Sequence, residues 1–282
     1  MKQRFLLFLS ALLLALPASA ALFTFAPLPM EDPATVIRQF KPLLSYLGQQ
    51  TGHDFRIRHS RDYGELLRRF RAGEIDLAYL GPLPYVDLKA GFGAAMPLVH
   101  FLEKSGQADY TCALISAGML NTRFGKGNMR VALTQPLSTC GYLAANTMLK
   151  AQGADLNKSL FRYLGTHDDV ALSLVRGDYD LGVVKTALAR RYGHLGVRII
   201  RETGRLPAFS LIVNSSRIPK RDLDAIRSAL IALRPADNPA DARITATWGE
   251  NIRHGATPAL DADFDSVRRM RGKLRIPEQG NF

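Results

Sequence analysis

Strand-like and helix-like runs alternate along this chain, and the alternation is what most limits its fold. "LFTFAPL" (22–28) reads as a strand. From Pro33 to Gln50 the apolar residues Val36, Ile37, Phe40, Leu43, Leu44 and Leu47 recur at helical spacing, closed by Thr51-Gly52. "DFRIRHS" is a short strand, "RDYGELLRRFRAG" a helix stopped by Gly73, and "IDLAYLG" a buried strand ended by Gly81-Pro82. "AMPLVHFLE" and "YTCALISA" are further strands, followed by the turn-rich "NTRFGKGN". The alternation then restarts: strand "RVALTQ", helix 138–152, strand "LFRYLG", helix 167–176, strand "DLGVVKT", helix 187–192, strand "VRIIRE". After "TGRLPA" come strand "FSLIVNS" and helices over 220–233, 240–248 and 261–271. Such alternation predicts α/β layers with largely parallel sheets. The two breaks bracket one α/β unit inside another. The expected organisation is lobe 1 from 21–118 plus 206–282 and lobe 2 from 119–205, with a hinge at about 118–121 and 203–207. Two lobes joined by two crossings leave a cleft between them, a preferred ligand site.

The first residues give the compartment. Lys2 and Arg4 precede an apolar run, Phe5–Leu16, and Pro17-Ala18-Ser19-Ala20 ends as a cleavage site. This is the pattern of a secretory signal peptide cut after Ala20. The run is too short for a membrane span, which needs ~20 apolar residues. The expected location is the periplasm. The formal charge is +12, or +10 without Lys2 and Arg4, which favours anionic partners. Export and the dispersal of the charges argue against nucleic acid. Metal ligands do not cluster: His53 and His59 flank a strand, and His100, His194 and His254 are isolated. No cofactor is expected.

The segment "LTQPLSTCGYLAANTMLK" (133–150) places hydroxyls and a thiol where a helix begins. A helix start offers unpaired N–H groups and partial positive charge, so it suits an anion. Ser138 and Thr139 add donors there, and equally serve as ordinary caps. "YLGTHDDVALSLVRG" puts Thr166 and His167 at a second helix start, with Thr166 and Asp169 spaced as a capping box.

The chain resembles the phosphate/phosphite/phosphonate-type periplasmic binding proteins of ABC importers. The resemblance is carried by "DYGELLRRFRAGEIDLAYLGPLPYV", "ALTQPLSTCGYL", "GTHDDVALSLVRGDYDLGVV" and "RLPAFSLIVNSSRIP" in family order. It implies an α/β, two-lobed type 2 periplasmic binding protein with a hinge and an interlobe ligand cleft. It implies a small anionic ligand held by Tyr63, Tyr79, Tyr110, Ser138, Thr139, Cys140, Gly141 and His167. It also implies a monomer that serves an ABC permease and is not an enzyme.

This sequence departs from the family twice. Aminophosphonate binders hold the ligand's ammonium with acidic residues, but the matching places hold Ala187 and Leu206-Pro207-Ala208. An aminoalkylphosphonate is therefore not the expected ligand. Lys185 stands at a strand end, where it either faces the cleft or is solvated. The family's third hydroxyl is replaced by Cys140, whose thiolate a helix start favours. A free thiol facing the cleft would suit a thiophilic oxyanion such as arsenite. A second reading of the same fold is a receptor for a two-component sensor kinase, with such an oxyanion as one candidate ligand. A disulfide with Cys112 would remove the ligand role of Cys140. A third reading makes Cys140 a nucleophile with His167 as base, but no third orienting group accompanies them.

Overall fold

A computed structural model describes residues 20–117 and 129–282. The expected leader falls on 1–20, which lie outside the described residues except for Ala20. Among the described residues no helix is long and apolar enough to cross a membrane.

The chain begins with β1 (Leu22–Pro27), α1 (Pro33–Thr51), β2 (Asp54–Ile57), α2 (Tyr63–Arg71), β3 (Leu77–Leu80), α3 (Pro82–Gly91) and β4 (Ala95–Phe101). Local chemistry sets these bounds. Asp32 caps α1 by accepting from the Thr35 N–H, Pro33 opens its first turn, and Gly52 closes it at φ 71°, a left-handed conformation that favours glycine. Asp62 caps α2 by accepting from the Glu65 N–H at 2.7 Å, and Glu65 accepts from the Arg61 N–H in return. Helix α3 is absent from the sequence expectations, because Gly81-Pro82-Leu83-Pro84 reads as a breaker. Proline is compatible with a first turn, whose N–H groups have no helical partner, and α3 starts on Pro82.

The two-residue strand β5 (Asp109–Tyr110) leads to β6 (Cys112–Ala117) and β7 (Arg130–Leu133). A five-residue π-helical turn, Thr139–Leu143, runs into α4 (Ala144–Lys150). Then come β8 (Leu160–Tyr163), α5 (His167–Val175), β9 (Leu181–Lys185), α6 (Thr186–Arg191), β10 (Val197–Glu202), β11 (Leu206–Pro207) and β12 (Ser210–Asn214). The chain finishes with α7 (Lys220–Ala232), α8 (Pro239–Thr245), β13 (Ala256–Pro258) and α9 (Asp265–Arg271).

Two larger sheets result. One runs β13-β4-β12-β3-β1-β2 and the other β10-β6-β9-β7-β8. Both are mixed, which corrects the expectation of largely parallel sheets. β12 lies antiparallel between β3 and β4, and β6 lies antiparallel between β9 and β10. β12 and β6 each follow a crossing between lobes, so there the chain re-enters its sheet from the opposite end; β13, which pairs antiparallel with β4, follows α8 instead.

The crossings themselves form the third sheet. β5 and β11 pair antiparallel, Tyr110 with Leu206 and Asp109 with Pro207. The first crossing is therefore complete at Cys112, whose strand already belongs to the second sheet. The expected boundary at 118–119 is several residues late, because "YTCALISA" reads as one strand although it holds both the crossing and the strand beyond it. The expected hinge segment 119–121, like residue 118, lies outside the described residues. The return crossing lies within the expected 203–207.

The last residues also depart from the expected partition. Beyond α9 the chain leaves the first lobe and lies along β8 of the second. Asn281 is the fastener: its N–H donates to the Phe161 carbonyl at 3.0 Å, its Oδ1 accepts from the Phe161 N–H at 2.7 Å, and its Nδ2 donates to the Ser159 carbonyl at 2.9 Å. Tyr163 donates its hydroxyl to the Pro277 carbonyl. The amide side chain completes the hydrogen bonding of an edge strand as another strand would. Asn281→Ala leaves the Phe161 N–H unmatched and is expected to cost about 1–2 kcal/mol. Thermal melts should show a fall of a few degrees.

Candidate functional site

The cleft sits where helices of both lobes begin. In the first lobe α2 opens with Tyr63, and α3 opens after Gly81. In the second the π-helical turn opens after Ser138, α5 opens with His167, and α6 opens after Lys185. Tyr63, Gly81, Ser138, Thr139, Cys140, His167 and Lys185 line one cavity, with Tyr110 of the hinge strand and Leu28, Pro84 and Phe209. Peptide dipoles of several helices thus point positive ends at one small space. The volume open to a water-sized sphere is about 10 Å³, close to the room for one water. The lobes are nearly shut over it.

Contacts across the cleft hold it shut. The Leu83 N–H in the first turn of α3 donates to Thr139 Oγ1 at 3.0 Å. Gln135 Nε2 donates to the Pro29 carbonyl at 2.9 Å. Lys185 Nζ reaches both carboxylate oxygens of Glu103 at 2.7 Å, with both side chains mostly buried. Such charge-assisted contacts are stronger than neutral ones.

The donors are tuned by their surroundings. Burial raises the pKa of Tyr63 and, as the main cause, that of Tyr110, so both phenols stay protonated at neutral pH. Burial, with the Lys185 charge nearby, pushes His167 down to about 4. The Lys185 backbone N–H lies 3.3 Å from His167 Nδ1 and donates to it. The proton of the neutral ring therefore sits on Nε2, leaving that nitrogen a donor. Thr166 caps α5 by accepting from the Asp169 N–H at 3.0 Å, as the sequence pattern predicts.

Two expected site residues do not line the cavity. Tyr79 is 1% exposed and sits in the core behind it. Its ring stacks on Phe209 at 5.2 Å and packs near Phe40 and Phe101. Strand alternation turns it inward, and Phe209 presents the aromatic surface in its place. Gly141 shapes the turn instead: a Cβ there would lie 2.6 Å from the Gln135 carbonyl oxygen. Gly141→Ala is expected to displace the Ser138–Thr139 turn and destabilise the fold by about 1–3 kcal/mol. Denaturant unfolding measures the loss.

Cys140 lines the cavity, but not as a thiol. It is bonded to Cys112, with Cα atoms 5.3 Å apart, and among the described residues no cysteine is free. The expected free thiol is overturned. The basis for arsenite and for a cysteine nucleophile falls with it, because a disulfide sulfur is neither a thiolate ligand nor a base-activated nucleophile. Lys185, left open by the sequence, faces the cleft. Glu103 supplies a carboxylate there that the sequence reading did not consider. Phe209, Gly81, Leu28 and Pro84 were also missed. Gly81 precedes the first turn of α3, and a Cβ on it would meet the Phe209 ring at 3.1 Å.

A second arrangement superficially suggests catalysis. Ser210 Oγ lies 2.8 Å from His100 Nδ1, and His100 Nε2 lies 3.0 Å from Asp263 Oδ2. Ser210 is fully buried within β12, and its hydroxyl also meets the Ala208 carbonyl at 3.1 Å. The three residues tie β4, β12 and the approach to α9 together.

Comparison with known proteins agrees with this geometry. Residues 25–264 match the family described as ABC transporter, phosphonate, periplasmic substrate-binding protein. The phosphate-import protein PhnD of Mycolicibacterium smegmatis is 24% identical, over 88% of this chain and 84% of its own length. Among solved structures, PhnD1 from Prochlorococcus marinus in complex with methylphosphonate superposes with a TM-score of 0.76 at 13% identity, covering 90% of this chain and 98% of that one. A binding protein component of an ABC phosphonate transporter from Pseudomonas aeruginosa gives 0.71 at 15% identity, covering 89% and 86%. With two lobes, a paired hinge and a cleft at converging helix starts, the chain belongs to the periplasmic substrate-binding proteins of phosphonate-type ABC transporters.

Proposed function

We propose that the chain captures a small tetrahedral oxyanion, a phosphonate or phosphate, in the interlobe cavity and presents it to a membrane permease. The observation that carries this reading is the convergence of helix starts from both lobes on one cavity lined by Tyr63, Tyr110, Ser138, Thr139 and His167. Backbone N–H groups, hydroxyls and the His167 Nε2–H suit several oxygens spread around one centre. Donors from both lobes also make binding and closure one event: an anion touching both walls favours the shut form over the open one. The protein exports with its leader cut near Ala20 and acts as a monomer in the periplasm.

Thermal-shift titration with methylphosphonate, phosphate and phosphite tests the reading, with acetate as control. A ligand at 100 times its Kd stabilises by about 2.7 kcal/mol. Ser138→Ala removes one donor to a charged group and is expected to weaken the tightest of the three by about 10–100-fold, or 1.5–3 kcal/mol. If none of the three oxyanions shifts the melting curve more than acetate does, the reading fails.

A further inference from the structure

Lys185 reaches the cleft from the end of β9, yet its charge is already spent. Its ammonium meets both oxygens of Glu103 at 2.7 Å, lies 5.3 Å from the Tyr110 ring centroid and 5.9 Å from that of Phe209. A carboxylate flanked by aromatic faces is the surrounding that a desolvated ammonium needs. Tyr110, Phe209 and Lys185 also line the anion cavity, so this ammonium box adjoins the space for the oxyanion.

We propose that Lys185 is a built-in ammonium that occupies a site able to take the amino group of a ligand, and so restricts the protein to phosphonates and related oxyanions without one. The proposal rests on the oxyanion reading above and sets its ligand class. An aminoalkylphosphonate entering the wild-type cleft brings a second ammonium. It would be left unpaired beside Lys185 or would have to displace it, and either is unfavourable in a nearly dry site. The pair Lys185–Glu103 adds no net charge, so the oxyanion is met mainly by dipoles and neutral donors. An ordinary interlobe salt bridge would stabilise closure equally for every ligand. A built-in ammonium makes a different prediction, that removing it changes which ligand is preferred.

The test uses Lys185→Ala, which empties the box, and Lys185→Met, which removes the charge but keeps the stem. Calorimetric titration compares methylphosphonate with 2-aminoethylphosphonate. Wild type is expected to favour methylphosphonate by tenfold or more. Lys185→Ala is expected to reverse the preference by a similar factor, and Lys185→Met is not. Adding Glu103→Gln to Lys185→Ala should abolish the gain. A second arm needs no oxyanion: ethylammonium should raise the melting temperature of Lys185→Ala, and leave unmoved wild type and the Lys185→Ala/Glu103→Gln double variant. The proposal is overturned if wild type binds 2-aminoethylphosphonate as tightly as methylphosphonate. It is equally overturned if Lys185→Ala gains neither ligand nor rescue, or if the gain survives without Glu103. Failure of the oxyanion reading looks different, because wild type then answers no phosphonate or phosphate while the ethylammonium arm still reports on the box.

Discussion

Replacing both cysteines by serine is expected to lower stability by about 3–4 kcal/mol, from the entropy of closing a loop of 28 residues in the unfolded chain. In a protein of this size that corresponds to a fall of about 10 °C in melting temperature. Denaturant unfolding of the Cys112→Ser/Cys140→Ser variant, set against reduced and unreduced wild type, measures it. Thiol titration of the native, unreduced protein should find no free thiol. A double variant with the wild-type midpoint would show that the bond contributes nothing.

The bond also bears on binding. Cys112 opens β6 directly after the hinge strand, and Cys140 lies inside the π-helical turn that begins at Thr139. The link therefore fixes the turn presenting Ser138 and Thr139 to the root of the hinge. Its backbone is irregular, with Cys140 and Gly141 outside helical φ/ψ, so helical hydrogen bonding alone does not hold it. Losing the link frees the donors to wander, and each must be re-ordered when an anion binds. Affinity for the oxyanion should fall in the double variant even at temperatures where it is fully folded.

Much of this architecture was legible in the sequence because periodicity reports burial. Helix α1 and the strand "IDLAYLG" announce themselves through spacing, and the alternation of elements gave two lobes. The crossings were less legible. A hinge strand of two residues, Asp109–Tyr110, has no period, so it merged with β6 in the reading. Helix α3 was hidden because Gly81-Pro82 ends a strand and starts a helix with the same two residues. At the candidate site, the polar residues at helix starts were legible as candidates, since capping chemistry and anion chemistry use the same side chains, and the fold brings Ser138, Thr139 and His167 to one cavity. Tyr79 was misplaced because a strand turns alternate residues to opposite faces, and resemblance to a motif does not settle which face an aromatic takes. Glu103 was invisible because its role is fixed by a partner 82 residues away. The pairing of Cys112 with Cys140 is of the same kind: two residues allow a bond, but only the fold brings them together.

Acidification is expected to destabilise the empty protein between about pH 6.5 and pH 4 through His167. Its folded pKa is pushed down to about 4 by burial and by Lys185, against which Asp168 acts weakly. In the unfolded chain the ring takes its proton near the ordinary value of about 6.5. Between the two values the unfolded state binds more protons, so stability is highest above pH 6.5, declines as pH falls toward 4, and is flat below it for this group. The ceiling is about 3 kcal/mol, and less to the extent that the part-buried ring keeps some water. An oxyanion on Nε2 reverses the local balance, because a negative charge favours the imidazolium. Saturating methylphosphonate should therefore raise the folded-state pKa and shallow the slope. His167→Gln is the decisive variant, since its amide keeps a donor near Nε2 but does not titrate. Urea unfolding at pH 7, 6, 5 and 4 should show a steeper loss for wild type than for His167→Gln in the empty state, with the two converging when methylphosphonate is bound. Equal slopes in the empty state would place the titration elsewhere and leave His167 as a neutral donor only.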